Sequence, residues 1–307
     1  MTESVHSHDL VAVGEVFMDF VSSEAVNSLS EVESYVPSPG GSPARLCKHL
    51  AALGHPVSLV ASVGLDFFGN RIREDLREHG VDASFVRAKP QAHTSLAFFA
   101  PKAGKPNQME VMETSMVRQA DYQIMDITWE ELAQTKIFHT TAFALGRQPA
   151  RASIWEGVSK ARQRGALLSM DFNFSIEQWP NLDEARSVLK TFCFFRPIIK
   201  MNNEEFKNIW SGTSYTSAQV IDSLMEAGAE AVVFTDRIQG NRVYSQSEAT
   251  QVFDPIPPVE VSNPRASGDA FWAGFLSAKL AGKSLSDCVE CANQQALSLL
   301  QSSGATS

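Results

Sequence analysis

Three small residues run into an aspartate and then an apolar stretch, Ala266-Ser267-Gly268-Asp269 followed by Ala270-Phe271-Trp272-Ala273-Gly274. Small residues entering a helix leave backbone N–H groups free at the positive end of the helix dipole, an arrangement that binds anions. A carboxylate in that turn suits a general base acting on a hydroxyl beside a phosphate. Phosphoryl transfer asks for little beyond positioning, charge stabilisation and such a base. An aspartate there also serves simply as a helix-capping carboxylate, and the local pattern leaves both readings open.

Two further segments have the right residue types. Pro39-Gly40-Gly41-Ser42-Pro43-Ala44-Arg45 is a turn leading into a helix, with two glycines that let backbone approach a ligand closely, or that merely make a tight turn. Lys200-Met201-Asn202-Asn203-Glu204-Glu205 follows a strand end, where ligands of open α/β sheets collect. Asn202 and Glu205 offer oxygens to a hydrated Mg²⁺, or else form a solvated acidic helix start. Cys288 and Cys291 form a CxxC inside a helical pattern with no second ligand pair, so core packing is the better reading. The seven histidines show no ligand spacing, and His49 and His55 read as surface residues at a helix end.

Short apolar runs must position these residues. Leu10–Val13, Val57–Val63, Lys136–Thr140, Ala166–Asp171, Ile198–Lys200 and Ala231–Thr235 read as strands, mostly apolar on both faces, as strands covered by helices on both sides are. Amphipathic patterns over 43–53, 69–79, 150–164, 183–193, 203–210, 216–227, 269–281 and 285–300 read as helices. In the first, Ser42 is the expected N-cap, Pro43 the first helical residue and Gly54 the stop. The alternation predicts an α/β fold with a mostly parallel sheet. Residues 15–39 and 92–118 break it. Phe17–Val21, Glu33–Val36, Thr94–Ala100 and Met109–Glu113 read as short strands of a small β-sheet, with turns such as Lys102–Pro106, and one use of such an addition is a lid over a cleft.

Composition narrows the function classes. Of 307 residues, 44% are hydrophobic and 20% charged, a globular balance that excludes a disordered chain. The net charge of −9 argues against nucleic acid as main partner, since a phosphate backbone wants a basic face. No apolar run approaches the roughly 18 residues of a membrane span, and the first ten residues lack an apolar signal core. Four scattered cysteines do not make a disulfide framework. A cytoplasmic protein with neither nucleic acid nor membrane as partner is expected.

In order along the chain, these segments resemble the PfkB, or ribokinase-like, family of sugar kinases from about Val11 to Ala305. The family's Gly-Gly-x-x-Ala-Asn turn is matched by Gly40 to Ala44, with Arg45 in place of the asparagine. Its Asp-Thr-x-Gly-Ala-Gly-Asp motif is matched by Asn263-Pro264-Arg265-Ala266-Ser267-Gly268-Asp269. Val13-Gly14-Glu15 with Asp19, Gly64-Leu65-Asp66-Phe67-Phe68-Gly69, Asp171-Phe172-Asn173 and Asn202 to Glu205 are lesser matches. Ala292-Asn293 and Gly304-Ala305 sit where the family's adenine-side segments fall. Met116 to Asp121 and Ala142 to Leu145 before Pro149-Ala150-Arg151 look most like bacterial fructokinases.

The resemblance implies a ribokinase-like α/β domain over residues 9–305, carrying the 15–39 and 92–118 lid. It implies transfer of the ATP γ-phosphoryl to a sugar hydroxyl, with Asp269 as base and the N–H groups of Ala266, Ser267 and Gly268 holding the phosphoryl group. Asp19, Gly40, Gly41, Arg45, Arg118 and Asn173 would form the sugar side. Asn202, Thr235, Arg265 and Asn293 would serve the nucleotide, and Glu205 the Mg²⁺. Some relatives use K⁺ where this chain has Asn263 for aspartate, and some build a homodimer through the lid. Ala266 replaces a glycine, Ser175 an arginine and Arg237 a nucleotide-loop glycine; Arg265 could offset the change at Ser175. Arg45 suits an acidic sugar such as 2-keto-3-deoxygluconate better than a plain hexose. The five substitutions together also suit a catalytically silent kinase-fold binding protein.

Overall fold

The computed structural model describes residues 8–103, 109–113, 124–174, 176, 179, 181–255 and 266–304. The chain opens with β1 (His8–Val13), β2 (Phe17–Val21), β3 (Val36–Gly40) and α1 (Ser42–Ala52), then β4 (Val57–Gly64), α2 (Phe67–Glu78) and β5 (Val86–Lys89). There follow β6 (Leu96–Pro101), β7 (Met109–Glu113), α3 (Trp129–Leu132), β8 (Thr135–Thr141), α4 (Ala150–Gln163), β9 (Leu167–Asp171), α5 (Leu182–Cys193) and β10 (Ile198–Asn202). The last third is α6 (Asn203–Ile209), α7 (Ser217–Glu226), β11 (Ala231–Thr235), β12 (Asn241–Ser245), β13 (Gln251–Phe253), α8 (Ala266–Leu280) and α9 (Leu285–Gly304).

The expected α/β fold is present. A nine-stranded sheet runs β13-β12-β11-β10-β9-β8-β1-β4-β5, parallel from β11 to β5, with β12 and β13 added antiparallel. Its central strands, β1, β4 and β8 to β11, are buried on both faces, so the apolar side chains divide into two cores. One contains Trp129, Phe138, Trp179 and Phe192; the other contains Leu46, Leu50, Trp272, Phe275 and Val289. The separate small sheet has order β3-β2-β6-β7 and is the predicted lid sheet.

Helix α8 is apolar nearly all round, and Phe271, Trp272, Ala273, Phe275 and Leu276 are all buried. A helix with that pattern belongs inside the protein. It packs on α1 and α9. The Trp272 indole N–H donates to Ser169 Oγ on β9 (3.0 Å), which also pairs with His139 Nδ1 on β8 (2.9 Å). Gly274 gives α9 its close approach, because a Cβ there would stand 2.9 Å from the Cys291 carbonyl.

Several expectations need correcting. The second lid strand along the chain, β3, is Val36–Gly40, not Glu33–Val36. Its Pro37 and Pro39 argue against a strand in a sequence scan, but β3 is an edge strand, where missing N–H donors are tolerated. Helix α2 starts at Phe67 because Asp66 caps it, accepting from Gly69 N at 2.8 Å. Helix α8 starts at Ala266, a turn before the expected start at Asp269. Ser42 is not the N-cap of α1: Gly41 is, at φ 100°, and no side chain caps the helix. The Ser42 hydroxyl is instead committed to Asp269. His55 is no free surface residue, since it bridges Asp9 Oδ2 (2.7 Å) and Ser277 Oγ (2.8 Å), and His49 is half-buried. The Lys102–Pro106 turn lies partly outside the described residues.

Gly41 links the lid strand to α1 in a conformation that L-residues avoid, and a Cβ there would stand 2.6 Å from the Glu15 carbonyl. Gly54 also has positive φ, but nothing lies within 4 Å of its added Cβ. We predict that Gly41→Ala loses more stability than Gly54→Ala, which should lose only about 1–2 kcal/mol. Urea midpoints measure both. Equal losses would mean that the backbone at Glu15 yields freely.

Candidate active site

Beyond β1 the chain first adds strands on one side, β4 and β5, and then returns to β8 on the other. The carboxyl ends of β1 and β8 therefore flank a switch in strand order, where open α/β sheets form a crevice. Glu15, just past β1, is buried there. It accepts from Thr141 Oγ1 at the end of β8 (2.7 Å) and from Asn173 Nδ2 after β9 (2.7 Å). Asn173 sits at φ 33°, a positive-φ conformation that asparagine tolerates better than most residues.

The first turns of α1 and α8 meet at this crevice. Asp269 Oδ1 accepts from Ser42 Oγ at 2.5 Å and Oδ2 from Arg45 Nε at 2.6 Å. Arg45 Nη1 reaches Asp19 Oδ2 on the lid strand β2 at 3.2 Å. Asp19 and Asp269 are only 4% and 5% exposed, so both carboxylates are met by protein donors, as buried charge requires. Burial works against the Arg45 charge, but Asp269, Asp19 and Glu15 outweigh it and hold the guanidinium charged. Gly40 lies against the Asp19 carboxylate, which leaves no room for a side chain. Asp19, Gly40, Gly41, Arg45 and Asp269 are thus brought together as the motifs suggested. Ala266 is the first residue of α8, with Ser267 and Gly268 in the same turn.

A second charged group stands behind the first. Lys200 on β10 is in register with Asp171 on β9, and its ammonium donates to Asp171 Oδ2 at 2.5 Å. Both are buried. Burial alone would strip the lysine of its proton; Asp171, Glu205 and Asp269 reverse that and hold it charged. Lys200 Nζ lies 3.7 Å from where a Cβ on Gly268 would stand, so a fixed cation borders the first turn of α8. Asn202 and Glu205 form a capping box on α6: Asn202 Oδ1 accepts from Glu205 N and Glu205 Oε2 accepts from Asn202 N, both at 2.8 Å. Glu205 is not solvated. Burial, reinforced by Asp171, pushes its carboxyl up to about 8. Burial also lowers His139 to about 3, so its imidazole is neutral at pH 7.

The sequence reading overlooked Lys200, Ser42 and Asp171 as site residues. A signal for Lys200 was available, since a lysine inside the apolar run Ile198–Asn202 must be buried and so demands a carboxylate beside it. Thr235 and Asn293 do not join the Asp269 group. Thr235 ends β11 in register with Asn202, and Asn293 on α9 accepts from Asn241 Nδ2 on β12 at 2.9 Å. Exposed Arg237 follows Asp236, whose carboxylate accepts from the N–H groups of Ile238 and Gln239 and from Asn203 Nδ2. Arg118, Arg265, Asn263, Ser175 and Ala305 lie outside the described residues. Among the described residues no three His, Cys, Asp or Glu side chains cluster to hold a metal, and all four cysteines are free thiols. A hydrated Mg²⁺ asks for less. Two buried carboxylates, Asp171 and Glu205, fit one that keeps most of its waters.

Residues 7–307 match the model of the pfkB family carbohydrate kinases. The chain belongs to that family. It is therefore a sugar phosphotransferase of the alcohol-accepting kind. It is 28% identical to probable fructokinase-6, chloroplastic, of Arabidopsis thaliana, over 87% of this chain and 69% of that protein. It is 26% identical to an ATP-dependent 6-phosphofructokinase of Thermoanaerobacterium thermosaccharolyticum, over 92% and 85%. The fold of this kinase matches Halothermothrix orenii fructokinase (TM-score 0.76, 23% identity, 94% of this chain and 98% of that one). It also matches a putative ribokinase II from E. coli solved with ATP and Mg²⁺ (TM-score 0.80, 21% identity, 93% and 90%). Among the described residues no helix is long and apolar enough to cross a membrane.

The raised Glu205 carboxyl makes stability depend on pH. Its folded value exceeds its ordinary value of 4.5, so the stability it contributes is full below about pH 4.5 and is lost as pH rises through 8. In metal-free protein, Glu205→Gln should therefore gain thermal stability relative to the parent between pH 5 and 8.5. A parent-minus-variant difference that stays flat across that range would contradict the burial of this carboxyl.

Proposed function

We propose that this protein is an ATP-dependent kinase of a neutral sugar, fructose being the first to test, and that Asp269 is its general base. The observation that carries the reading is a buried carboxylate, Asp269, in the first turn of α8, with the Asp171-paired Lys200 ammonium bordering that same turn at Gly268. A base, oriented N–H donors and a fixed cation are the parts phosphoryl transfer needs. The sugar hydroxyl oxygen forms a bond to the γ-phosphorus while the bond to the β–γ bridging oxygen breaks. The electron pair of that bond leaves with ADP, and the hydroxyl proton passes to Asp269. The N–H groups of Ala266, Ser267 and Gly268, with Lys200, face the phosphoryl charge. Asp19, Gly40, Gly41 and Asn173 hold the other hydroxyls, with Arg118 assigned to the same side by resemblance.

On the nucleotide side the reading assigns Asn202, Thr235, Arg265 and Asn293. Asp171 and Glu205 would hold hydrated Mg²⁺, which when bound neutralises phosphate charge. The lid closes over the sugar and excludes water. In this reading the kinase works in the cytoplasm, and two copies pair through the lid sheet. Potassium dependence follows only if Asn263 can stand in for aspartate.

An acidic sugar was the alternative suggested by Arg45. The guanidinium is already faced by Asp19, Asp269 and Glu15, so a further anion there would meet three carboxylates for one cation. That balance favours a neutral polyol.

Sugar-dependent ADP release from Mg·ATP tests the reading over a panel of fructose, ribose, tagatose, 2-keto-3-deoxygluconate and sugar phosphates. We predict turnover on a neutral sugar and a loss of about 10²–10⁴-fold in kcat for Asp269→Asn, with sugar affinity nearly kept. Near-parental turnover in Asp269→Asn would remove Asp269 from the base role.

A further inference from the structure

Every oxygen that the proposed reaction needs from Asp269 is engaged by the protein itself. Ser42 holds Oδ1, and Arg45 holds Oδ2 while also reaching Asp19. The guanidinium is a rigid fork, and here its two arms go to two different carboxylates, one assigned to binding sugar and one assigned to taking its proton. Arg45 brings a full opposite charge to Asp269 and is anchored by its other arm on Asp19, whereas a water brings a neutral donor with no second anchor. One water molecule therefore cannot displace Arg45 from Asp269. A sugar can, because several hydroxyls engage Asp19 and the Gly40–Gly41 backbone at once.

We propose that Arg45 is a specificity-determining residue that discriminates sugar from water: it occupies Asp269 until a polyhydroxylated neutral sugar takes Asp19 and frees it. This rests on the sugar-kinase reading above. Without sugar, ATP hydrolysis would use the same chemistry. A water oxygen bonds to the γ-phosphorus, the bond to ADP breaks with its electron pair, and the water proton goes to Asp269 before release to solvent. With Oδ2 paired to Arg45 and Oδ1 to Ser42, that water must compete with both donors for the carboxylate. Helix α1 is also held by the buried Leu46, Cys47 and Leu50 and by the Ser42 hydrogen bond, which remain when Arg45 is replaced.

The test compares parent, Arg45→Gln and Arg45→Lys. Lysine keeps the charge but, as a single point donor, cannot serve both carboxylates, and it covers the case in which the glutamine variant folds poorly. ADP release from Mg·ATP is measured without sugar, and fructose binding is measured by calorimetry without nucleotide. The expected result is sugar-free hydrolysis near the Asp269→Ala background in the parent, about tenfold or more above it in Arg45→Gln and intermediate in Arg45→Lys. Fructose should bind Arg45→Gln several-fold more tightly than the parent, since no guanidinium has to be displaced. The combined Arg45→Gln, Asp269→Ala variant should return to background. Sugar-free hydrolysis no higher in either Arg45 variant than in the parent would overturn the proposal, as would a rise that survives loss of Asp269. Failure of the sugar-kinase reading is separate: it would appear in the parent as no phosphorylation of any sugar in the panel.

Discussion

Asp269 lies where the first turns of two helices converge, and much of the architecture serves to bring them there. Helix α8 can run through the interior because its surface is apolar nearly all round and because Trp272 and Gly274 fix it against the sheet and α9. Helix α1 enters the same crevice through Gly41, whose positive φ turns the lid strand sharply into the helix. The ion pair of Arg45 with Asp269 and the Ser42 hydrogen bond then tie α1 to α8, while Arg45 also reaches the lid through Asp19. One guanidinium joins the main domain, the lid and the candidate base.

Behind that contact the sheet supplies a second layer of charge. Parallel register sets Lys200 beside Asp171, and the capping box holds Glu205 at the start of α6. Buried charge of this kind is weak evidence for stability, since desolvation offsets much of the attraction. Its place beside Gly268 gives it a chemical use instead: a cation and two carboxylates at the point where a triphosphate and its metal would sit. The carboxylates there outnumber the cations, so a triphosphate would need its metal to bind beside them, and burial together with Asp171 raises the Glu205 carboxyl.

Much of this was legible in the residues. The parallel strands announced themselves as short runs apolar on both faces, and the helix starting near Asp269 announced its anion-binding turn. The lid sheet could be read as a break in the βα alternation, but β3 was misplaced because its two prolines forbid a central strand and say nothing against an edge. Ser42 was misassigned because serine before proline is a common helix cap, while only a tertiary contact 227 positions away shows its hydroxyl on Asp269. Arg45 illustrates the same limit. Its type suggests an anion partner, and sequence has no means of telling that the anions are Asp19 and Asp269 of the same chain. Lys200 was missed for the opposite reason, since its burial could have been argued from its strand.

Phosphoryl transfer by Asp269 requires sugar hydroxyl, γ-phosphate and carboxylate to converge in one crevice. A crystal structure with fructose and a non-hydrolysable ATP analogue tests it most directly. The expected result is a sugar hydroxyl within about 3 Å of the Asp269 carboxylate, with the terminal phosphate against the first turn of α8 and Lys200 and with Arg45 drawn off Asp269. Sugar bound away from Asp19 and Asp269, or a terminal phosphate remote from Gly268, would contradict it.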